Sequence, residues 1–202
     1  MNKVDIKGFA ENVQSVIENM GYIPDPVSNP VMVMLVGLPG SGKSYFGSRL
    51  RERISIARVE TDWIRKFIFG TPVYNAKENN ILFKTCHTLL ERLLAQGVDV
   101  LFDATNLVEA NRERLYNIAY KTDARLILVK IEAPTDLIFQ RLEQRRYHPE
   151  VQDNSDADWS IFRKMRSSFE PLRKDHFAVD TSKDISLVIE KIVREIKKHR
   201  KS

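Results

Sequence analysis

Four groups of residues in this chain have the types and spacing that chemistry needs. The first is Gly37-Leu38-Pro39-Gly40-Ser41-Gly42-Lys43-Ser44, a complete G-x-x-x-x-G-K-S loop, followed by Tyr45. Glycines at this spacing let the backbone curl until its N–H groups converge on phosphate oxygens. A helix starting behind the loop adds the positive end of its dipole at the same spot. Lys43 is placed to reach the β- and γ-phosphates, and the Ser44 hydroxyl to ligate Mg²⁺. The pattern therefore predicts a site for a nucleoside triphosphate with Mg²⁺, built on Gly37, Pro39, Gly40, Ser41, Gly42, Lys43, Ser44 and Tyr45.

The second group is Asp62 and Arg65, one helical turn apart. A carboxylate here suits a general base that takes the proton of an attacking hydroxyl. The arginine suits an anionic group of the acceptor or the orientation of the carboxylate. The plainer reading is a helix N-cap aspartate beside a surface arginine. The third group is the apolar run Val98–Phe102 that ends in Asp103-Ala104-Thr105-Asn106. An aspartate closing a strand downstream of a phosphate loop can hold a Mg²⁺-bound water or stand behind it. Position 104 is alanine, where a glutamate would activate water for hydrolysis, so the pattern favours transfer to a hydroxyl over a motor. Thr105 and Asn106 equally suit a turn and a cap. The fourth group is Arg141 and Arg145, four residues apart on one helical face. Arginines that close over a nucleotide offset the charge that phosphoryl transfer spreads over the equatorial oxygens. A solvated helix paired through Glu143 is the plainer alternative.

These groups need a scaffold, and the pattern around them supplies one. Val31–Val36 reads as a buried strand before the loop, and Tyr45–Arg53 as the helix after it. Further strands are predicted over Ile54–Glu60, Val98–Phe102, Arg125–Glu132 and Phe177–Val179. Asp62 opens a short helix, and Ala76–Gln96, Asn106–Lys121, Pro134–Arg146, Trp159–Phe169 and a segment from Ile185 to Ile196 read as further helices. Asn106 with Glu109 three residues on resembles a capping box. Repeated β-α-β units imply a parallel sheet covered on both faces, with ligands at the carboxyl ends of the strands. Ahead of this lies an amphipathic helix over Asp5–Met20 and a proline-rich linker. The expected division is residues 1–30 as helix and linker and residues 31–202 as the catalytic domain.

Composition narrows the class. The 202 residues carry a net charge of +5, which suits an anionic partner without requiring one. Cys86 is the sole cysteine, which excludes an intramolecular disulfide and fits a reducing compartment; its spacing with Leu82 and Leu89 makes it a core residue. The start has no signal-like apolar core and no run approaches the ~20 residues of a membrane span. The expected location is cytoplasmic, away from membranes. The basic end, Lys197 to Lys201, reads as a solvated tail, and Trp63 and Trp159 as packing residues. Asn2-Lys3-Val4-Asp5 matches a guanine-recognition pattern, and Asp5-Ile6-Lys7-Gly8 a D-x-x-G pattern. Both precede the loop without a strand before them and are read as coincidences.

Together the motifs resemble the P-loop kinase group that contains phage-type polynucleotide 5′-hydroxyl kinases, zeta toxins and small AAA-type ATP-binding kinases. The match rests on Gly37–Ser44, Asp62-x-x-Arg65, Asp103-Ala104-Thr105-Asn106 with Arg112, and Arg141-x-x-x-Arg145, and spans about Val31 to Ile196. The resemblance implies a three-layer α/β/α fold with a parallel five-stranded sheet of order 2-3-1-4-5 and a helical lid at about 141–158. It implies Asp62 as general base, Arg65 on the acceptor and Arg145 on the γ-phosphate. It places Asp103, Thr105, Asn106 and Arg112 in the acceptor site and adenine near Asp180-Thr181-Ser182. The segment Ser155–Trp159 and the helix after it look like the small kinases of the group rather than the phage enzyme. The implied reaction is transfer of the γ-phosphate from ATP to a hydroxyl, on a polynucleotide 5′ end or a small molecule. An ATP-binding switch or interaction protein is the alternative from another class.

Overall fold

The structure, a computed structural model, describes residues 12–147 and 157–200, without the side chain of residue 146. The guanine-like pattern, residue 201, and the part of the expected lid from 148 to 156 lie outside the described residues. Five strands form one parallel sheet: β1 (Val31–Val36), β2 (Ala57–Glu60), β3 (Val100–Asp103), β4 (Arg125–Glu132) and β5 (Phe177–Asp180). Their order is β2-β3-β1-β4-β5, as the resemblance implied.

Parallel neighbours need a crossover between them, and helices supply it. Residues 12–19 form α1. Then follow α2 (Lys43–Arg51), α3 (Thr61–Phe69), α4 (Ala76–Ala95), α5 (Glu109–Lys121), α6 (Thr135–Tyr147), α7 (Trp159–Ser167) and α8 (Ser186–His199). β1 is the central strand, and all six of its residues are buried. The period-2 alternation of strand side chains divides them between two cores. Met32, Met34 and Val36 join the core under α3, α4 and α5, where Val16 of α1 also lies. Val31, Val33 and Leu35 join the core under α2 and α8. Each such side chain contributes about 1.5–3 kcal/mol relative to exposure. A third, small cluster of Ile138, Leu142 and Phe162 ties α6 to α7 above the sheet. Trp159 stacks on Phe162 with ring centroids 4.7 Å apart, so it packs as expected.

Polar contacts secure the other end of the sheet. The Asp99 carboxylate accepts the Val31 N–H at 2.7 Å and pairs with Arg200. Arg200 is thus a tether across the amino ends of β1 and β3, which corrects the reading of that terminus as wholly solvated. Cys86 is fully buried, and burial pushes its thiol up to about 12.

Several boundaries differ from the sequence pattern for physical reasons. β2 begins at Ala57 because Ile54 and Ile56 are spent covering the α2–α8 core. α5 begins at Glu109 rather than Asn106. Asn106 takes a left-handed backbone, φ +51°, and its amide donates to the Leu35 carbonyl at 2.6 Å. It ties the loop after β3 to β1 and does not cap the helix. Among the described residues no helix is long and apolar enough to cross a membrane.

Candidate active site

The carboxyl ends of β1, β2, β3 and β5 surround a cavity of about 550 Å³ where the strand order reverses around β1. Its floor is the 37–44 loop. Gly40 and Gly42 take φ of +76° and +95°, a region that glycine enters at little cost. Gly37 lies beneath the loop, not on its surface. A Cβ there would stand 2.4 Å from the Ile131 carbonyl oxygen. Its N–H donates to the Thr105 carbonyl at 3.1 Å, joining the loop to β3's end. Ser41 is buried beside it. Thr181, just past β5, donates its hydroxyl to the Ser41 carbonyl at 2.7 Å and closes the back of the loop. Pro39, Lys43, Ser44 and Tyr45 face the cavity.

Charged groups of both signs converge on this floor. The Lys43 ammonium donates to the Leu38 carbonyl at 3.0 Å. Desolvation lowers its pKa; the negative charges of Asp103 and Asp62 oppose that shift, and Arg145 adds to it. Asp103 lines the cavity from the end of β3 and accepts from Arg58 Nη2 at 2.6 Å. Arg58 also lies 3.3 Å from Glu60, at the end of β2. Burial disfavours the Arg58 charge, but Asp103, Glu60 and Asp62 outweigh it and hold its pKa above the ordinary value. Arg58 and Glu60 are two apart on one strand and so share a face; that alternation is present in the sequence, but no contiguous motif marks the pair, and the register sets it beside Asp103. Asp103, which the resemblance assigned to the acceptor site, lines this cavity together with Lys43 and Ser44. The hydroxyl of Ser44 and the carboxylate of Asp103 are hard oxygen donors at one cavity, a set that fits Mg²⁺.

Asp62 occupies the first turn of α3, whose N-cap is Glu60, so the plainer reading of Asp62 as the N-cap does not hold. It lines the first cavity and also a second, of about 440 Å³. Pro39, Thr61 and Thr105 are the other residues common to both. Beyond them the second cavity is walled by Arg65 of α3, Asn79, Leu82 and Phe83 of α4, and Ile161, Lys164 and Met165 of α7. Arg65 is buried, and its Nη2 donates to Asn79 Oδ1 at 2.6 Å.

The remaining expected residues divide. Arg141 and Arg145 of α6 both line the first cavity. Arg141, however, spends its guanidinium on the protein. Nη1 donates to the Thr181 hydroxyl at 2.8 Å and to the Gly40 carbonyl at 3.3 Å, and Nη2 to the Thr181 carbonyl at 3.0 Å. It latches the lid helix to the loop and to the turn after β5, and burial lowers its pKa. Arg112 is fully buried and all five of its N–H groups are committed. They reach Glu109 at 2.7 Å, the carbonyls of Asn106 and Leu107 at 2.9 and 2.7 Å, and those of Glu170 and Pro171 at 2.9 and 3.0 Å. It staples the loop after β3 to the segment after α7 and has nothing left for an acceptor. Neither Arg112 nor Asn106 lines either of these two cavities.

Comparison with known proteins accords with this geometry. The family model described as "AAA domain" matches residues 32–172. L-seryl-tRNA(Sec) kinase of Methanococcus maripaludis is 26% identical over 120 residues, 57% of this chain and 46% of that protein. Shikimate kinase of Desulforudis audaxviator is 27% identical over 124 residues, 60% of this chain and 64% of that protein. The chain thus spans between about half and two thirds of these curated relatives. The structure of Mycobacterium tuberculosis APS kinase in complex with AMPPNP and APS superposes with a TM-score of 0.62 at 15% identity. That alignment covers 88% of this chain and 99% of the other, and it shows a shared fold.

Proposed function

This chain belongs to the AAA domain family, and we propose that it is an ATP- and Mg²⁺-dependent phosphotransferase acting on a hydroxyl of a second substrate. The observation that carries the reading is the wall common to the two cavities. A phosphate-binding cavity and a second, side-chain-lined cavity meet at one carboxylate, Asp62. Transfer needs a donor and an acceptor held in line with a base between them. The relatives named above are kinases with different acceptors, which supports the reaction class and leaves the acceptor to the second cavity.

The step then runs as follows. ATP lies on the 37–44 loop, with its β- and γ-phosphates toward Lys43 and its adenine toward the Asp180–Ser182 turn. Ser44 would hold Mg²⁺ with Asp103 behind it, and the ion, when bound, neutralises phosphate charge. Asp62 takes the proton of the acceptor hydroxyl, and that oxygen attacks the γ-phosphorus. The bond to the β–γ bridging oxygen breaks, and ADP leaves with the electron pair. Lys43 and Arg145 offset the charge that develops on the transferring group, while Arg141 holds lid and loop in register. Asp62 returns its proton to solvent.

The test is ADP release from ATP with and without hydroxyl-bearing acceptors, beginning with a 5′-hydroxyl oligonucleotide and nucleosides. Acceptor-dependent turnover, with the label of the γ-phosphate recovered on the acceptor, is the expected result. Slow turnover that no acceptor raises, with ATP bound tightly, would mark a nucleotide-dependent switch instead.

A further inference from the structure

Tyr74 lines the second cavity in a backbone conformation that a bulky residue seldom takes, with φ at +58°. Such strain persists only where the surroundings over-determine it, and it concentrates at ligand-binding positions. Here the buried carboxylate of Glu78, in the first turn of α4, holds it. Glu78 accepts the Val73 N–H at 2.9 and 3.0 Å and the Tyr74 N–H at 2.8 Å. Asn75 closes the circuit by accepting the Glu78 N–H at 2.9 Å as the cap of α4. Two side chains and a strained backbone are thus committed to placing one ring.

That ring lies over the Arg65 guanidinium, 4.9 Å from its centroid, yet Tyr74 remains 50% exposed. Arg65 itself is only 7% exposed. Its Nη1 is buried without a hydrogen bond and forms a longer ion pair with Glu78 at 3.6 Å. Lys164 of α7 lines the same cavity, and Phe83 adds a second ring to its wall. A half-exposed ring on a buried cation with an unused donor, and a second cation in the same cavity, match a ligand that is flat in one part and negative in another.

We infer that the second cavity takes an alcohol carrying both a flat ring system and a negative group, and that Tyr74, positioned by Glu78, selects it by stacking on the ring. Naming the ligand an alcohol rests on the phosphotransferase reading; recognition of ring and charge does not. A free small molecule and the 5′ end of a nucleic-acid chain both present this chemistry.

The experiment uses the full chain saturated with AMPPNP, so that the first cavity is filled. Calorimetry then measures binding of adenosine 3′-monophosphate, adenosine, glycerol phosphate and a 5′-hydroxyl hexanucleotide, and each is afterwards offered ATP for transfer. Adenosine 3′-monophosphate is expected to bind at least about tenfold more tightly than adenosine or glycerol phosphate. Tighter binding of the hexanucleotide identifies a nucleic-acid end as the source, and equal or weaker binding a small molecule. Tyr74→Ala and Tyr74→Gly should each weaken the ring-bearing ligands about tenfold, the scale of a lost stacking platform. Tyr74→Phe should retain affinity, and binding of AMPPNP should not move. Because glycine relieves the strain at this φ, Tyr74→Gly should keep or raise the melting temperature, so its loss of affinity cannot be assigned to unfolding. Glycerol phosphate binding as tightly as the nucleotide, or affinity indifferent to Tyr74→Gly, would overturn the inference. Tyr74-dependent binding with no transfer would instead contradict the phosphotransferase reading and leave this one standing.

Discussion

The cavity on the 37–44 loop is walled mainly by that loop and by residues at or just past strand ends, with Asp62 of α3 and two arginines of α6, whereas the cavity beside it is walled mainly by side chains from α3, α4 and α7. On the proposed function, the contrast follows from what each cavity recognises. Phosphate is the same in every nucleotide, and backbone N–H groups with one lysine and one hydroxyl suffice for it. Those groups can come from eight consecutive residues. An acceptor varies from enzyme to enzyme, so its site needs shape and side chains, drawn from helices far apart in the chain. Asp62 is where the general and the particular halves meet.

The sharpest way to break this contrast is at the lysine. Lys43→Ala should lower transfer by about 10²–10³ and weaken ATP, while binding of the acceptor ligand to the second cavity stays within about twofold. An equal loss of acceptor binding would mean that the two cavities are not separable.

Next in size is a stability effect with no counterpart in the site. Removing the Arg112 side chain leaves buried carbonyls and Glu109 without their donor. Arg112→Ala should cost about 3–5 kcal/mol in chemical denaturation, and residual folded protein should bind AMPPNP normally. Full stability with a selective loss of acceptor affinity would return Arg112 to the acceptor site.

The strands and the 37–44 loop were legible because periodicity and a contiguous motif carry them, whereas the strand order came from the family resemblance and not from the pattern. Spacing cannot say whether a polar group is already satisfied: Asn106 is held by a carbonyl of β1 and Arg112 by loop carbonyls, partners that only the fold brings near. Arg141 and Arg145 were indistinguishable on a helical face, yet one reaches Thr181 and Gly40. Glu60 and Arg58 were missed although the strand period placed them beside Asp103. Tyr74, Glu78 and Asn79 carry no pattern at all. Their meaning comes from a turn and a helix start folding over Arg65.

A smaller, graded effect separates charge from shape at the loop. Desolvation sets the Lys43 pKa below its ordinary 10.5, so the ammonium is lost at lower pH than in an exposed lysine. Only the ammonium attracts the triphosphate, so affinity for AMPPNP should fall as pH rises through that lowered value. Lys43→Arg, which stays charged, should show no such fall. A flat profile in the unaltered chain would show that the desolvation is not felt. The smallest effect expected is at Cys86. Buried, with its thiol up at about 12, it should resist alkylation at pH 8 in the folded chain and react only on unfolding. Rapid labelling would place it outside the core.

The measurement that bears most directly on the shared wall is single-turnover transfer of labelled γ-phosphate by the unaltered chain and by Asp62→Asn, with whichever ring-bearing alcohol the second cavity accepts. With Asp62 as the base, AMPPNP affinity should stay within about twofold and transfer should slow by about 10²–10⁴, the range of a lost general base. Transfer by Asp62→Asn at the unaltered rate would contradict it and remove Asp62 from the centre of the site.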